Sequence, residues 1–270
     1  MPELPEVETV VRSLRQRLIA KTIQDVENQW PRQLATHDIR ALREQIAGTR
    51  IKTIHRRGKY IVFGLDSDDW LIIHLKMTGQ LLIQKDQDAL DNHVHTIFQL
   101  SDGEQLRFHD VRKFGRVYLT SDSSEILGAL GPEPLDSSFT APSLHKMLSG
   151  RKRIIKPLLL DQEFIAGIGN IYADEALHLA QISPRRNSAA ITLAEAKRLH
   201  AGIVSTLQSA IDLGGATIND YRQPDGSEGE MQNTLRAYGR EGEPCLRCSG
   251  VITRIVLGSR STYYCPNCQV

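Results

Sequence analysis

The sequence predicts an α+β multidomain protein. Its N-terminal part is an antiparallel β-sandwich, with a barrel as the alternative, led by a helix. A helical region and a small C-terminal four-cysteine module with a β-hairpin follow. Three observations predict this. Eight short alternating or apolar runs, separated by Gly- and Asp-rich breaks, fill the first 120 residues, the spacing of antiparallel strands. Beyond them the apolar period becomes helical. The last segment carries two C-x2-C pairs, the signature of a metal-held module. The expected division is residues 1–130, 131–235 and 236–270.

The first helix opens with Pro5, Glu6 and Glu8, acidic charge at the positive end of the helix dipole. Its apolar stripe is Val7, Val10, Val11, Leu14 and Leu18, with Arg12, Arg15, Arg17 and Lys21 toward the other end. The strand runs are Thr22–Val26, Arg50–Ile54, Tyr60–Leu65, Trp70–Lys76, Gln80–Gln84, Val94–Leu100, Gln105–His109 and Arg116–Thr120. A helical insert at Ile39–Ile46 ends before Gly48. The stretch from Leu130 to Pro142 reads as a linker, and Ile171–Ala180 and Leu193–Leu213 as helices. Val251–Leu257 and Ser261–Tyr264 form the final hairpin.

With 40% hydrophobic and 24% charged residues, the chain reads as a globular protein. It contains no apolar run long enough to span a membrane and no secretory signal before the first helix, so a cytoplasmic location is expected. The formal charge of +1 does not announce a nucleic-acid binder, so any nucleic-acid surface would have to come from local clustering of Arg and Lys. Four cysteines in such a chain argue for metal before disulfides. Cys245, Cys248, Cys265 and Cys268, with 16 residues between the pairs, suit one tetrahedral zinc. An isolated hairpin is marginal in water, and structural zinc supplies about 10–16 kcal/mol in such modules.

The chemistry starts at the N-terminus. A small residue such as Pro2 favours removal of Met1, which leaves a proline secondary amine. An α-amino group titrates near ~8, so part of it is neutral and able to attack carbonyl-like carbon to form a Schiff base. Glu3 lies beside it and can move protons. Ordinary helix-start chemistry explains the same residues. However, the run Met1-Pro2-Glu3-Leu4-Pro5-Glu6-Val7-Glu8-Thr9 resembles the N-terminus of the formamidopyrimidine-DNA glycosylase family, enzymes that excise oxidised purines from DNA.

The resemblance extends along nearly the whole chain. Arg57-Gly58-Lys59-Tyr60 is similar to a family setting whose lysine assists catalysis and contacts phosphate, which points to Lys59. Lys52, Arg56, Arg57 and Lys59 form a basic cluster, for which an aggregation-resistant edge strand is the favoured explanation on composition alone. Met77, Arg112 and Phe114 match the residues that fill the void left by an extruded base. Arg151, Lys156 and the run Gly167-Ile168-Gly169-Asn170 resemble the family's helix-two-turn-helix. There Asn170 holds phosphate at a helix start, the basic residues face DNA and Glu175 points toward the active site. Glu6 is a supporting residue. Arg260, at the tip of the hairpin, resembles a DNA contact that takes part in elimination. A purely structural ribbon with a solvated arginine is the alternative.

Two departures stand out. The family often has H-D-H-V where this chain has Asp91-Asn92-His93-Val94. An acid should not approach phosphate, which leaves His93 to substitute as a DNA contact. The polar segment from Gly214 to Gln232, long enough to be mobile, resembles a loop that folds over the extruded base. It has Met231 where relatives carry an aromatic residue, which puts base preference in question.

The resemblance implies a monomeric, zinc-containing bacterial enzyme of base excision repair, a bifunctional glycosylase and AP lyase acting on damaged double-stranded DNA at the nucleoid. It would excise 8-oxoguanine opposite cytosine and formamidopyrimidines through a Schiff base at Pro2, with β,δ-elimination. An endonuclease VIII-type enzyme for oxidised pyrimidines is disfavoured by Leu4, Arg112 and Phe114. A non-catalytic zinc-ribbon DNA-binding protein would not need Pro2, Glu3 and Lys59 together.

Overall fold

The computed structural model describes residues 1–218, 221–222 and 226–270. These form two compact units, Met1–Gly128 with Gly214–Gly229, and Ala129–Leu213 with Glu230–Val270.

In the first unit, helix α1 (Leu4–Leu18) precedes strand β1 (Thr22–Asn28) and helix α2 (Ile39–Ile46). Seven strands follow: β2 (Thr49–Arg57), β3 (Tyr60–Leu65), β4 (Trp70–His74), β5 (Gly79–Lys85), β6 (Val94–Leu100), β7 (Glu104–Asp110) and β8 (Arg116–Thr120). A short helix α3 (Ser124–Leu127) ends the run. All eight expected strands are present. The sheet order is β5-β7-β6-β1-β2-β3-β4-β8, with every neighbouring pair antiparallel. Only Thr22↔Arg50 and Ile23↔Thr49 pair β1 with β2. The sheet therefore turns a corner there and makes the two layers of a sandwich.

The core draws on both layers, with Val26, Leu81, Phe98 and Phe108 from one and Ile54, Ile61, Phe63, Leu71 and Ile73 from the other. The apolar stripe of α1 packs into it, with Val7, Val10, Val11, Leu14 and Leu18 at most 2% exposed. At about 1.5–3 kcal/mol per buried side chain, this fixes the helix and whatever its first residue carries. The run Trp70–Lys76 stops as a strand at His74 because Lys76 turns the chain at φ +56°.

Arg107 on β7 is buried at 1% exposure and has no carboxylate partner among the described residues. Its guanidinium donates to Gln105 Oε1 (2.6 Å), Gln84 Oε1 (2.9 Å) and the carbonyls of Lys85 (3.1 Å), Asp88 (3.0 Å) and Ala89 (3.0 Å). A cation in the core is tolerated because carbonyl dipoles replace its hydration, and it ties down the loop after β5.

The second unit holds α4 (Ala141–Ser149), α5 (Ile155–Leu159), α6 (Asn170–Ala180) and α7 (Leu193–Asp212). The expected linker ends sooner than Pro142, which lies in the first turn of α4, where a proline costs no hydrogen bond. Thr140 and Ser143 form a capping box there, as Thr192 and Glu195 do on α7. α6 packs along α7, and a Cβ on Gly202 would stand 2.9 Å from the Ala176 carbonyl oxygen. The terminal ribbon contains β9 (Thr253–Leu257) and β10 (Arg260–Tyr264). Gly258 (φ +54°) and Ser259 (φ +60°) join them in the conformation a two-residue type I′ turn requires.

Arg107→Met should lower unfolding stability by roughly 2–4 kcal/mol, since it leaves buried carbonyls without a donor. Denaturant melts with limited proteolysis of the Lys85–Ala89 loop measure this. Unchanged stability and an intact loop would refute the anchoring role.

Candidate active site

In the first unit the N-terminal residues are built into the fold. Pro2 and Glu3 are buried, while Met1 is half exposed. Glu6, 2% exposed, holds this start through both carboxylate oxygens. Oε2 accepts the Glu3 backbone N–H (2.8 Å) and Oε1 accepts that of Ala216 (2.8 Å). The segment that returns at 214–217 is thereby tied to α1. Tyr221 adds a hydroxyl bond to the Glu6 carbonyl at 3.4 Å. Gly215 is needed at the contact: its φ is +85°, and a Cβ would fall 2.9 Å from Glu6 Cγ. Parts of the segment at 219–220 and 223–225 lie outside the described residues.

Lys59 sits at the second position of the two-residue turn between β2 and β3. Gly58 supplies φ +55° at the first, as a II′ turn demands. Arg56 carries this turn to α1, donating to Glu8 Oε2 (3.1 Å) and to the Gly58 carbonyl (3.2 Å). Of the basic cluster read from the sequence, Arg56 is thus an interior strut. Lys59 is 6% exposed. Nearby His74 is kept neutral, its pKa pushed down to about 3 by burial and then by Lys76 and Lys59.

Met77 (39% exposed) and Phe114 (46%) project from two turns. The Arg112 guanidinium lies 4.9 Å from the Phe114 ring centroid. Buried Asp110 joins the turns: Thr78 Oγ1 donates to its Oδ1, and Gly115 N–H donates to Oδ2 at 2.7 Å. Arg112 N–H in turn donates to Thr78 Oγ1 at 3.1 Å. Sequence reasoning named the three projecting residues and missed Asp110 and Thr78. An Asp opening a Gly-terminated turn was the available signal. His93 lies beside Asp91 and His109.

In the second unit, Asn170 is the first residue of α6, and its side-chain amide donates to the Ser261 carbonyl at 3.0 Å. Lys156 Nζ donates to the same carbonyl at 3.0 Å and pairs with Asp174 at 2.7 Å. Asp174 also accepts the Tyr263 N–H at 3.0 Å. Burial pushes the Asp174 carboxyl up to about 7, and Lys156 opposes that rise. The hairpin is thereby docked on α5 and α6, with exposed Arg260 next to the shared Ser261. The expectation that Lys156 faces DNA is corrected. Its side chain is 0% exposed, because it neutralises a buried carboxylate. Arg151 is exposed, as expected.

Glu175 is 2% exposed, and its oxygens accept the N–H groups of Arg236 (2.9 Å), Ala237 (2.8 Å) and Tyr238 (2.9 Å). These bonds fix the chain entering the ribbon. Met231 is buried at 5% exposure and starts a short 3-10 turn.

The four cysteines close the ribbon. Cys245 and Cys268 sulfurs are 3.8 Å apart, Cys248 and Cys265 sulfurs 3.5 Å, and all four lie within 4.8 Å of one another. Zn–S bonds of about 2.3 Å in a tetrahedron put sulfurs roughly 3.8 Å apart, so the set fits one structural zinc. The N–H groups of Arg247 and Gly250 donate to Cys245 and Cys248 sulfur at 3.4 Å. Buried His178 of α6 adds a contact that the sequence did not reveal, Nε2 to Cys245 Sγ at 3.4 Å. Within a helix, it read as one more core position.

Three family profiles match the chain in order. The formamidopyrimidine-DNA glycosylase N-terminal domain covers residues 1–117, the corresponding H2TH domain 130–222, and the zinc finger found in FPG and IleRS 242–270. These are the parts of a zinc-finger DNA glycosylase. Formamidopyrimidine-DNA glycosylases of Herpetosiphon aurantiacus and Chloroflexus aurantiacus are 45% and 46% identical to it over 100% of this chain, and over 100% and 98% of their own. A Lactococcus lactis FPG mutant in complex with Fapy-dG containing DNA superposes with TM-score 0.93 at 38% identity, covering 99% of each chain. MutM in complex with carbocyclic 8-oxo-G containing DNA gives 0.91 at 38%, with 99% of each chain covered. The chain belongs to the formamidopyrimidine-DNA glycosylase family.

His178→Leu nearly keeps the volume but removes the ring nitrogen that meets Cys245. Zinc transfer to a chelator should accelerate about 10-fold or more, with the thermal transition of the sandwich unchanged. An unaltered transfer rate would show that His178 only fills space.

Proposed function

We propose that the chain excises oxidised purines from duplex DNA and then cleaves the abasic strand, with Pro2 as nucleophile. The observation that carries this reading is the buried Pro2–Glu3 pair, held at the head of a packed helix by Glu6. An amine used for covalent catalysis must be fixed, because positioning supplies much of the rate. Family membership supports the reaction class. The Lactococcus lactis relatives are described in complexes with Fapy-dG DNA and with abasic-site DNA, which supports substrate and product classes alike.

Removal of Met1 frees the Pro2 nitrogen. That nitrogen bonds to C1′ of the damaged nucleotide as the N-glycosidic bond breaks and its electron pair leaves with the base. The amine loses its proton, O4′ gains one as the sugar ring opens, and an iminium links Pro2 to C1′. Glu3 carries protons in these steps. Loss of a C2′ proton then expels the 3′-phosphate, and a further elimination expels the 5′-phosphate. Lys59 supplies positive charge beside the reacting sugar and its phosphate. Extrusion of the base leaves a gap in the stack. Met77 and Phe114 are exposed apolar groups suited to fill it, and Arg112 can bond the orphaned partner base. Asn170, Arg151 and Arg260 take phosphates, with Arg260 also assisting elimination. Lys156 and Glu175 act only by holding the hairpin and the chain that leads into it.

In functional terms the chain divides into a catalytic sandwich (1–130), a helical DNA-binding domain (131–235) and the zinc hairpin (236–270). The setting is the bacterial cytoplasm, where the DNA is. Among the described residues, no helix is long and apolar enough to cross a membrane.

Retention of Met1 should abolish borohydride trapping on an 8-oxoguanine duplex, because an amide nitrogen cannot attack C1′, while damaged DNA is still bound. Glu3→Gln should lose at least about 100-fold in base excision and keep more activity on abasic sites. Mass spectrometry of the reduced adduct decides: a crosslink at Lys59, or undiminished trapping with Met1 present, overturns the proline mechanism.

Arg112→Ala should erode discrimination among bases opposite the lesion by roughly 5- to 100-fold, the worth of a lost bidentate base contact. Excision rates opposite each of the four bases measure this. A uniform loss with a shallower salt dependence would reassign Arg112 to phosphate.

A further inference from the structure

The first unit contains a second cluster of metal-ligating side chains, remote in sequence from the cysteines. Asp91 and His93 lie in the turn before β6, and His109 lies on β7. Asp91 Oδ1 stands 3.3 Å from His93 Nδ1 and 3.3 Å from His109 Nε2, and the three donor atoms lie within 4.8 Å of one another. We propose that Asp91, His93 and His109 form a binding site for a divalent first-row transition ion of the zinc type.

The distances carry the argument. Hydrogen bonds between nitrogen and a carboxylate are about 2.7–2.9 Å when charge-assisted, so two imidazoles at 3.3 Å are poorly placed as donors to one oxygen. Ligands bound at about 2.0–2.2 Å to a common ion lie roughly 3–3.5 Å apart, which matches both pairs. Two imidazoles with one carboxylate also form a known ligand set for divalent metals that keeps coordination positions open.

The backbone around the cluster is fixed before any ion arrives. Asp91 Oδ1 accepts the His93 N–H at 2.7 Å, the Asp91 carbonyl accepts that of Val94 at 3.0 Å, and the His93 carbonyl accepts that of Asp110 at 2.8 Å. Arg107 holds the Asp88 and Ala89 carbonyls just upstream. Asp110 is excluded as a fourth ligand, since Thr78 and Gly115 occupy its oxygens. With Asp91 59% and His93 45% exposed, the remaining positions face solvent. His109 Nδ1 is buried without an acceptor among the described residues. That lack of outer support lowers affinity, so this ion should leave before the cysteine-bound zinc. The proposal does not depend on the glycosylase reading.

The test uses the full chain with its ribbon zinc in place. Titration with Zn2+ should reveal a second equivalent, removed by mild chelation that leaves the first. Co2+ added in place of the second Zn2+ should give the weak visible absorption of nitrogen and oxygen ligation, without thiolate charge-transfer bands. Asp91→Ala and, on the exposed turn, His93→Ala should each weaken the second site at least 10-fold and leave one zinc per chain. One equivalent at saturating Zn2+, or a second ion indifferent to both substitutions, would overturn the proposal.

Discussion

The first unit depends on one constraint: the carboxylate of Glu6 must satisfy two backbone N–H groups in a dry environment. One belongs to Glu3 and the other to Ala216, 210 residues apart from Glu6 in the chain. Helix starts leave N–H groups without partners, and a buried start without them would be costly. Here the helix's own third residue closes its start and leaves an oxygen over for the returning segment. The Gly215 conformation and the Tyr221 hydroxyl then become necessities of the same arrangement. The apolar stripe of α1 holds the helix, and Glu6 holds the chain in front of it.

The second unit solves its positioning problem by different means. Its ribbon has a core of only Cys245, Ile252 and Cys265, with a few half-buried neighbours. Zinc organises one end. The other end is fixed by the carbonyl of Ser261, which receives both Lys156 and Asn170. A buried Lys–Asp pair is seldom a net gain in stability, because desolvation offsets the attraction. Its worth here is geometric: Asp174 reads the Tyr263 N–H while Lys156 reads the Ser261 carbonyl, so the register of β10 on α6 is fixed. Removing either partner would strand a charge, which explains why a cation expected at the surface is found inside.

The legibility of the sequence follows from the range of each interaction. The strands, α1, α7 and the cysteine pairs were readable because period and spacing are local properties. Trp70–Lys76 was read two residues too long, since nothing local announces a left-handed lysine at position 76. α5 was missed because a five-residue helix is too short to show a period. Among site residues, the projecting ones were named on resemblance. Those that hold them, Asp110, Thr78, Asp174 and His178, were not, since each acts on a partner distant in sequence. Lys156 was noticed and mistaken in orientation, because a charged residue type alone does not tell a surface contact from a paired interior one.

That error shows how charge is distributed in a protein with a formal charge of only +1. Arg56, Arg107 and Lys156 are all drawn inward, where they hold a turn, a loop and a hairpin. Each binds a backbone carbonyl; Arg56 and Lys156 also pair with the carboxylates of Glu8 and Asp174, whereas Arg107 is held by carbonyl and side-chain amide oxygens. Most of the other cations, Arg151 and Arg260 among them, stay exposed. Attraction to phosphate acts locally, within a Debye length of each contact, so the net charge of the chain carries little information about a nucleic-acid surface. The interior cations set where the exposed turns and the hairpin stand.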